Sequence, residues 1–450
     1  MVPDGSEHMQ PYLDQASEAS SSLPGAGVGW IDALRRRGTD LYGMHGLPQR
    51  RHEYWRYTNL NALAGGSFRL AGDPPAIKLP ALPHQTLADV LSYRVVLVNG
   101  RLRQDLSDLG TLPNGVEVGS LQALMAAAPE RLEPYLGQVA KLDDMPMAAL
   151  NTAFLSDGMA IFVDADVSLE KPVHLISVSA RDDGDAMVQP RHLVVMGRGA
   201  SSTLLETHIS ADGGACFNNV VSELHLAEGA KLNHSVFQHE APTSVHLSGT
   251  AVALAAGSTY DSFVLQSGAE IGRSEIRAYL NGPGVDCRLD GIYLATGKQV
   301  VDNTTYVEHA APECRSRQVY KGVLDGEARG VFQGKVHVVR DAQQTDGHQL
   351  SRALLLSPRA EIDARPELEI YADDVKCSHG ATAGDLDEDS LFYLLSRGIH
   401  PHTARRMLIE AFLSEAIGEI PVQQVADDYL NHVQQWLSDH VEERSDGASQ

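Results

Sequence analysis

GRGASSTLLETHI (197–209), AEGAKLNHSVFQH (227–239) and AAGSTYDSFVLQS (255–267) share one design. Each enters on Gly and small residues, then alternates apolar with polar side chains, the period-2 pattern of a strand. Gly199, Gly229 and Gly257 stand 30 and then 28 residues apart. A repeat of that length built from strands alone predicts stacked coils. The same β-rich character fills residues 150–384, through AIFVDADVSL, VHLISVSA, NNVVSELHL and GVFQGKVHVV, with hardly any amphipathic helix. Two all-β solutions compete, a sandwich or barrel closed by hairpins and a parallel β-helix. Within this region Asn-Gly occurs only at 281–282, so the scarcity of hairpin signals favours the β-helix.

Outward from this core the character changes on both sides. Residues 1–29 are rich in Ser, Ala, Gly and acid and predict a flexible tail. Residues 30–149 read as a mainly helical N-terminal region: WIDALRRRG and RRHEYWRYTNLNAL have helical spacing, a Pro-rich stretch (72–85) follows, and LQALMAAAPERLEPYLGQVA predicts a helix or helix pair. Inside this region YRVVLVNGRL predicts a hairpin turning on Asn99-Gly100. Residues 385–450 predict helices. Acids at 385–389 suit a helix N-terminus, Gly398 a stop, and Pro401 or His402 a second start, before a final helix at about 422–440. The middle helix carries two apolar stripes, Met407, Leu408, Ala411, Phe412 and Ala416 beside Ile409, Leu413 and Ile417. That arc is wider than one neighbour covers. Either part of it faces a partner, or the helix lies between the β core and the final helix.

Composition narrows function. With 36 basic and 59 acidic residues the formal charge is −23, which argues against nucleic acid and an anionic membrane surface as partners. No apolar run approaches the roughly 20 residues of a spanning helix, and MVPDGSEHMQ lacks a signal's basic and apolar regions, so a cytoplasmic location is expected. Cys216, Cys287, Cys314 and Cys377 lie 71, 27 and 63 residues apart, a spacing of reduced thiols rather than a disulfide scaffold. No enzyme signature survives. ATGK (295–298) has Gln299 where a phosphate loop needs Ser or Thr, and Gly197-x-Gly199-x-x-Ser202 lacks the third Gly of a dinucleotide fingerprint. The pairs His234/His239 and His400/His402 read as ordinary surface or turn residues.

One segment stands apart: LEIYADDVKCSHGATAG, 368–384. Residues two apart on a strand share a face, so Cys377 and His379 present a thiol and an imidazole together at the end of the last strand. Thiolate and imidazole suit iron or zinc, but two ligands leave a tetrahedral site half built. A second surface must complete it, unless the pair is merely structural.

At these residues the chain resembles the SufB/SufD family of iron–sulfur cluster assembly proteins, the SufD branch in particular. The resemblance rests on RRHEYWRYTNLNAL, VVLVNGRLRQDLSDL (95–109), LNTAFLSDG (150–158) and the nearly continuous stretch 289–399, with KCSHGAT and LDEDSLFYLLSRGI inside it. It implies a right-handed parallel β-helix with helical segments at both ends, acting as a non-enzymatic scaffold subunit with SufB and the ATPase SufC. It further implies that His379, with Cys377 as its motif neighbour, faces a SufB cysteine and helps hold a transient iron–sulfur cluster. Leu391, Phe392, Leu395, Met407, Leu408 and Phe412 fall in the region where the family docks SufC. A flavin is associated with the assembled complex; no residue here is assigned to it. Competing expectations are a cytosolic β-helix enzyme acting on polysaccharide and a purely structural homodimer.

Overall fold

From Cys216 onward every coil gives one strand to each of two parallel sheets. The first sheet stacks Cys216–Leu226, Val245–Leu254, Ile271–Leu280, Val300–His309, Arg329–Val338 and Glu361–Ile370. The second stacks Lys231–His239, Thr259–Gln266, Asp286–Ala295, Arg315–Leu324, Thr345–Leu355 and Val375–Gly384. This computed structural model, which describes residues 10–65, 68–73, 75–78, 87, 89–181 and 184–441, is therefore a parallel β-helix and not a sandwich.

Its pitch is set at one corner. Asp166, Gly199, Gly229, Gly257, Gly284, Glu313 and Gln344 all have φ between 60° and 71°. The first six donate their N–H to the carbonyl of the residue just before the equivalent corner one coil on, at 2.7–3.2 Å, and Gln344 donates to the Asp374 carbonyl at 2.6 Å. Left-handed backbone is natural for Gly and costs other residues about 1–2 kcal/mol, less for Asp. The bond ladder offsets that at the non-glycine positions.

Register between coils is unbroken, so side chains form columns. Ser202, Leu232, Tyr260, Cys287, Ser316, Gly347 and Cys377 make one such column on the second sheet. Its members below Cys377 are buried, which identifies an inward-facing row. Leu204, Leu224, Leu232, Val252 and Leu254 fill the lumen of the early coils.

The two outer faces are covered by different ends of the chain. The N-terminal region packs Tyr12, Tyr42, Trp55 and Met147 on Phe217, Val221, Leu247 and Tyr279 of the first sheet. Trp55 lies under the Arg273 guanidinium at 4.0 Å. Helices Pro401–Ile417 and Gln423–Val441 pack Ile409, Leu413, Tyr429 and Val433 on Leu205, Phe237, Phe263 and Leu265 of the second. Lys321 anchors the first of them, donating to the Phe412 carbonyl at 2.6 Å and to Glu415.

Residues 1–9 of the expected tail lie outside the described residues. Within the rest, Gln10–Ala19 is a helix rather than a flexible segment. Tyr12 is fully buried and donates to the Leu63 carbonyl at 2.8 Å; one aromatic anchor overrides the polar composition around it. Residues 30–149, expected as mainly helical, hold Gly29–His45 and Leu121–Ala127 but also send Tyr93–Val98 and Val116–Ser120 into the two sheets. The Asn99-Gly100 hairpin is present, with φ of 50° and 77°. The C-terminal region forms Glu388–Ser396, capped by the Asp387 carboxylate, then Pro401–Ile417 and Gln423–Val441; residues 442–450 lie outside the described residues.

Candidate functional site

The β-helix ends in two strands, each paired along one edge only, that differ chemically. Glu361–Ile370, last of the first sheet, carries five charges in ten residues and Pro366, which has no N–H to offer a neighbour. Arg365 pairs with Glu367 at 2.5 Å, Asp363 with Arg329 at 2.5 Å, and Glu369 with Lys335. Such features block strand addition. Val375–Gly384, last of the second sheet, reads VKCSHGATAG, with one lysine and mostly small residues. Its edge is unguarded.

Cys377 and His379 sit on this bare strand. Cys377 tops the buried column described above and packs against the cluster of Val336, Val338, Ala342 and Ala372. His379 tops the next inward column, over Gln349, Gln318, Leu289, Ser262 and His234. The strand thus sets both residues on the row that faces the lumen at its mouth. They are unequally available: Cys377 is half-buried, His379 exposed. Burial pushes the Cys377 thiol above its ordinary pKa, so it is a poorer metal ligand as it stands, while the imidazole is open to a partner.

Gln349, directly under His379, is 3% exposed, and neither its amide nitrogen nor its oxygen has a hydrogen-bond partner. The residue directly beneath His379 is thus polar and without a protein partner for its amide. On the outward row of the same strand Ser378 bonds His348 Nδ1 at 2.6 Å.

Apolar exposure collects at this end. Of the nine large hydrophobic side chains exposed among the described residues, Leu350, Ile370, Tyr371, Phe392, Tyr393, Leu395 and Met407 belong to the last coils or the following helices. Seven of the nine thus fall in the last coils and the helices that follow them. The six residues expected at a partner interface divide. Phe392 (73% exposed), Leu395 and Met407 are open. Leu391 is half-buried, and Leu408 and Phe412 pack partly onto the second sheet's helix cluster. The Pro401–Ile417 helix thus buries its Ile409, Leu413 and Ile417 stripe between the second sheet and the final helix and leaves the other stripe partly open.

The histidine pairs also divide. His400 is exposed and stacks on His402, with ring centroids 5.4 Å apart. His234 is not a surface residue: it is 2% exposed inside the lumen and bonds Tyr260 at 2.9 Å. It belongs to a group of buried ionisable residues with His208, Glu240 and His246, three that sequence reasoning missed. The available signal was strand parity, which His208 and His234 share with Leu204 and Leu232, and His246 with Val252 and Leu254.

With the mouth and its surroundings defined, comparison with known proteins gives the class. Residues 178–412 match the SufBD core domain of SUF system FeS cluster assembly, and residues 6–175 match the SufBD protein N-terminal region. The chain belongs to the SufB/SufD family of iron–sulfur cluster assembly proteins. Within it the similarity runs to the SufD branch. Over 374 residues the chain is 32% identical to the iron–sulfur cluster assembly protein SufD of Escherichia coli, covering 82% of this chain and 84% of that one. It is 34% identical over 416 residues to a SufBD family protein of Synechocystis, with 91% of each chain covered. It is also 30% identical over 433 residues to the chloroplastic protein ABCI7 of Arabidopsis thaliana, covering 93% and 87%.

Proposed function

We propose that this chain is a non-enzymatic, cytoplasmic scaffold subunit of an iron–sulfur cluster assembly complex, joined to a SufB-like subunit along Val375–Gly384 and to a SufC-like ATPase through the exposed apolar residues of its C-terminal helices. The carrying observation is the unguarded edge strand with His379 exposed on it, beside an edge strand that is charged and proline-bearing. His379 supplies an imidazole to a cluster in transit, which is cargo rather than a resident cofactor. Cys377 supports it from the half-buried position and becomes a ligand only if docking draws the thiol outward. No residue is proposed for a flavin. A polysaccharide-active enzyme gains no support, since the relatives are named as assembly proteins.

The test is His379→Ala in the co-expressed complex. The variant should still co-purify with the SufB-like and SufC-like partners, while iron and sulfide bound to the complex fall by about 10-fold, the loss of roughly 1.4 kcal/mol of ligand interaction. An undiminished cluster yield removes the ligand role and leaves the bare structural dimer. Failure of the native chain to capture either partner removes the scaffold role.

A further inference from the structure

The lumen of the early coils is not uniformly apolar. Beside Leu204, Leu224, Leu232 and Val252 it holds His192, His208, His234 and His246 with Glu206 and Glu240, none of them more than 3% exposed. Six ionisable side chains in one closed interior need a compensating arrangement, because an unpaired buried charge is costly.

Much of that arrangement is visible. Glu206 lies 3.2 Å from His208 Nε2 and 3.1 Å from His234 Nε2. Glu240 meets His246 Nδ1 at 2.6 Å and accepts from Gln238 Nε2 at 2.5 Å and Asn218 Nδ2 at 3.3 Å. The rings of His208 and His246 stand edge to face, with centroids 4.9 Å apart.

The network is nevertheless unfinished. His192 Nε2, Gln238 Oε1 and both polar atoms of the Gln266 amide are buried without a hydrogen-bond partner. His192 interacts electrostatically with Glu206, His208 and His234, and burial lowers its pKa to about 4, keeping it neutral. Meanwhile His208, Glu240 and His246 each offer one ligand atom, all lying within 4.8 Å of one another. Ligands about 2.0–2.2 Å from a metal sit roughly 3–4 Å apart, so a small contraction closes the set.

We infer that His208, Glu240 and His246 form a buried binding site for a divalent first-row transition-metal ion. Two imidazoles and one carboxylate without sulfur suit Fe(II), Zn(II) or Co(II). Glu206 holds His208 in orientation, and Gln238 and Asn218 do the same for Glu240, as partners of metal ligands commonly do. The site lies apart from the mouth: His234, beside it, is five strands below His379 in their shared column. It does not depend on the scaffold role proposed above.

The test uses the full chain expressed separately in Fe(II)-, Zn(II)- and Co(II)-supplemented medium, anaerobically for iron, then washed with EDTA and passed over a sizing column. About one ion per chain should remain in at least one preparation, with an X-ray absorption shell of nitrogen and oxygen at about 2.0–2.2 Å and no sulfur. The pair His208→Gln and His246→Gln should abolish retention, while His379→Ala and Cys377→Ser leave it unchanged. Should the double variant not fold, Glu240→Gln takes its place, with retention lowered at least about 10-fold. Absence of a retained ion from all three preparations overturns the inference. So does a sulfur-containing shell, or retention unaltered in the lumen variants.

Discussion

The two ends of the β-helix solve the edge problem in opposite ways. At the beginning, Val116–Ser120 runs antiparallel to Met159–Val163, and Arg101–Leu102 runs antiparallel to Tyr93–Val98. These caps are five and two residues long, leaving little edge for another chain. At the far end both terminal strands are ten residues long with no strand beyond them. Buried ion pairs follow the same division. Near the capped end, Glu223 is wholly buried, meets Arg191 Nη2 at 2.6 Å and accepts from the N–H groups of Gly137, Val139 and Ala140 at 2.7–3.1 Å. At the open end the pairs Arg329–Asp363, Arg365–Glu367 and Lys335–Glu369 are only half-buried. One end is built for stability, and the other keeps its surface free for contact.

Four measurements would break or sharpen that contrast. The largest effect is expected from Arg191→Ala, which strands Glu223 as an unpaired buried charge. It should cost about 3–5 kcal/mol in denaturant unfolding, and a loss below about 1 kcal/mol would remove the claim that this end is held by its buried pair.

Next comes pH. Burial lowers His174, His192 and His309 to about 4, against about 6.5 in an unfolded chain. Between those values the unfolded state binds more protons, so the contribution is complete above about pH 6.5 and lost as pH falls through 4. Each histidine removes about 1.4 kcal/mol per pH unit across that window. The urea midpoint should fall steadily from pH 6.5 to 4.5, and a flat profile would contradict neutral burial.

A smaller effect tests the corner. Gly257→Ala meets no atom within 4 Å, so its expected cost of about 1 kcal/mol is purely that of φ at 64°, and Gln344→Gly should gain a comparable amount. Equal stability of all three chains by thermal unfolding would mean that the corner does not fix the pitch. The smallest change belongs to the open end. His379→Ala should shift stability by no more than about 0.5 kcal/mol, as for an exposed side chain without a structural partner.

The repeat was legible because three of its seven corners are spelled with Gly after similar residues. Asp166, Glu313 and Gln344 adopt the same backbone without the residue that announces it, and this hid the rest of the column. The shared face of Cys377 and His379 followed from parity, since strand geometry fixes it. Their unequal burial did not, because it depends on Val336 and Ala372 closing over one of them. The lumen histidines were illegible for a related reason: His208 and His246 are 38 residues apart and meet only once the coils stack. Tyr12 shows the reverse error, an ordered helix concealed by polar neighbours.

The corner ladder and the antiparallel caps together give the molecule a direction. Growth by head-to-tail stacking would require a free parallel edge at both ends, and only one end has it. If the proposed association through Val375–Gly384 holds, it joins like end to like end and leaves the capped ends outward on both sides. Such an assembly would stop at a pair rather than lengthen into a fibre, whether the second member is another copy of this chain or a related one.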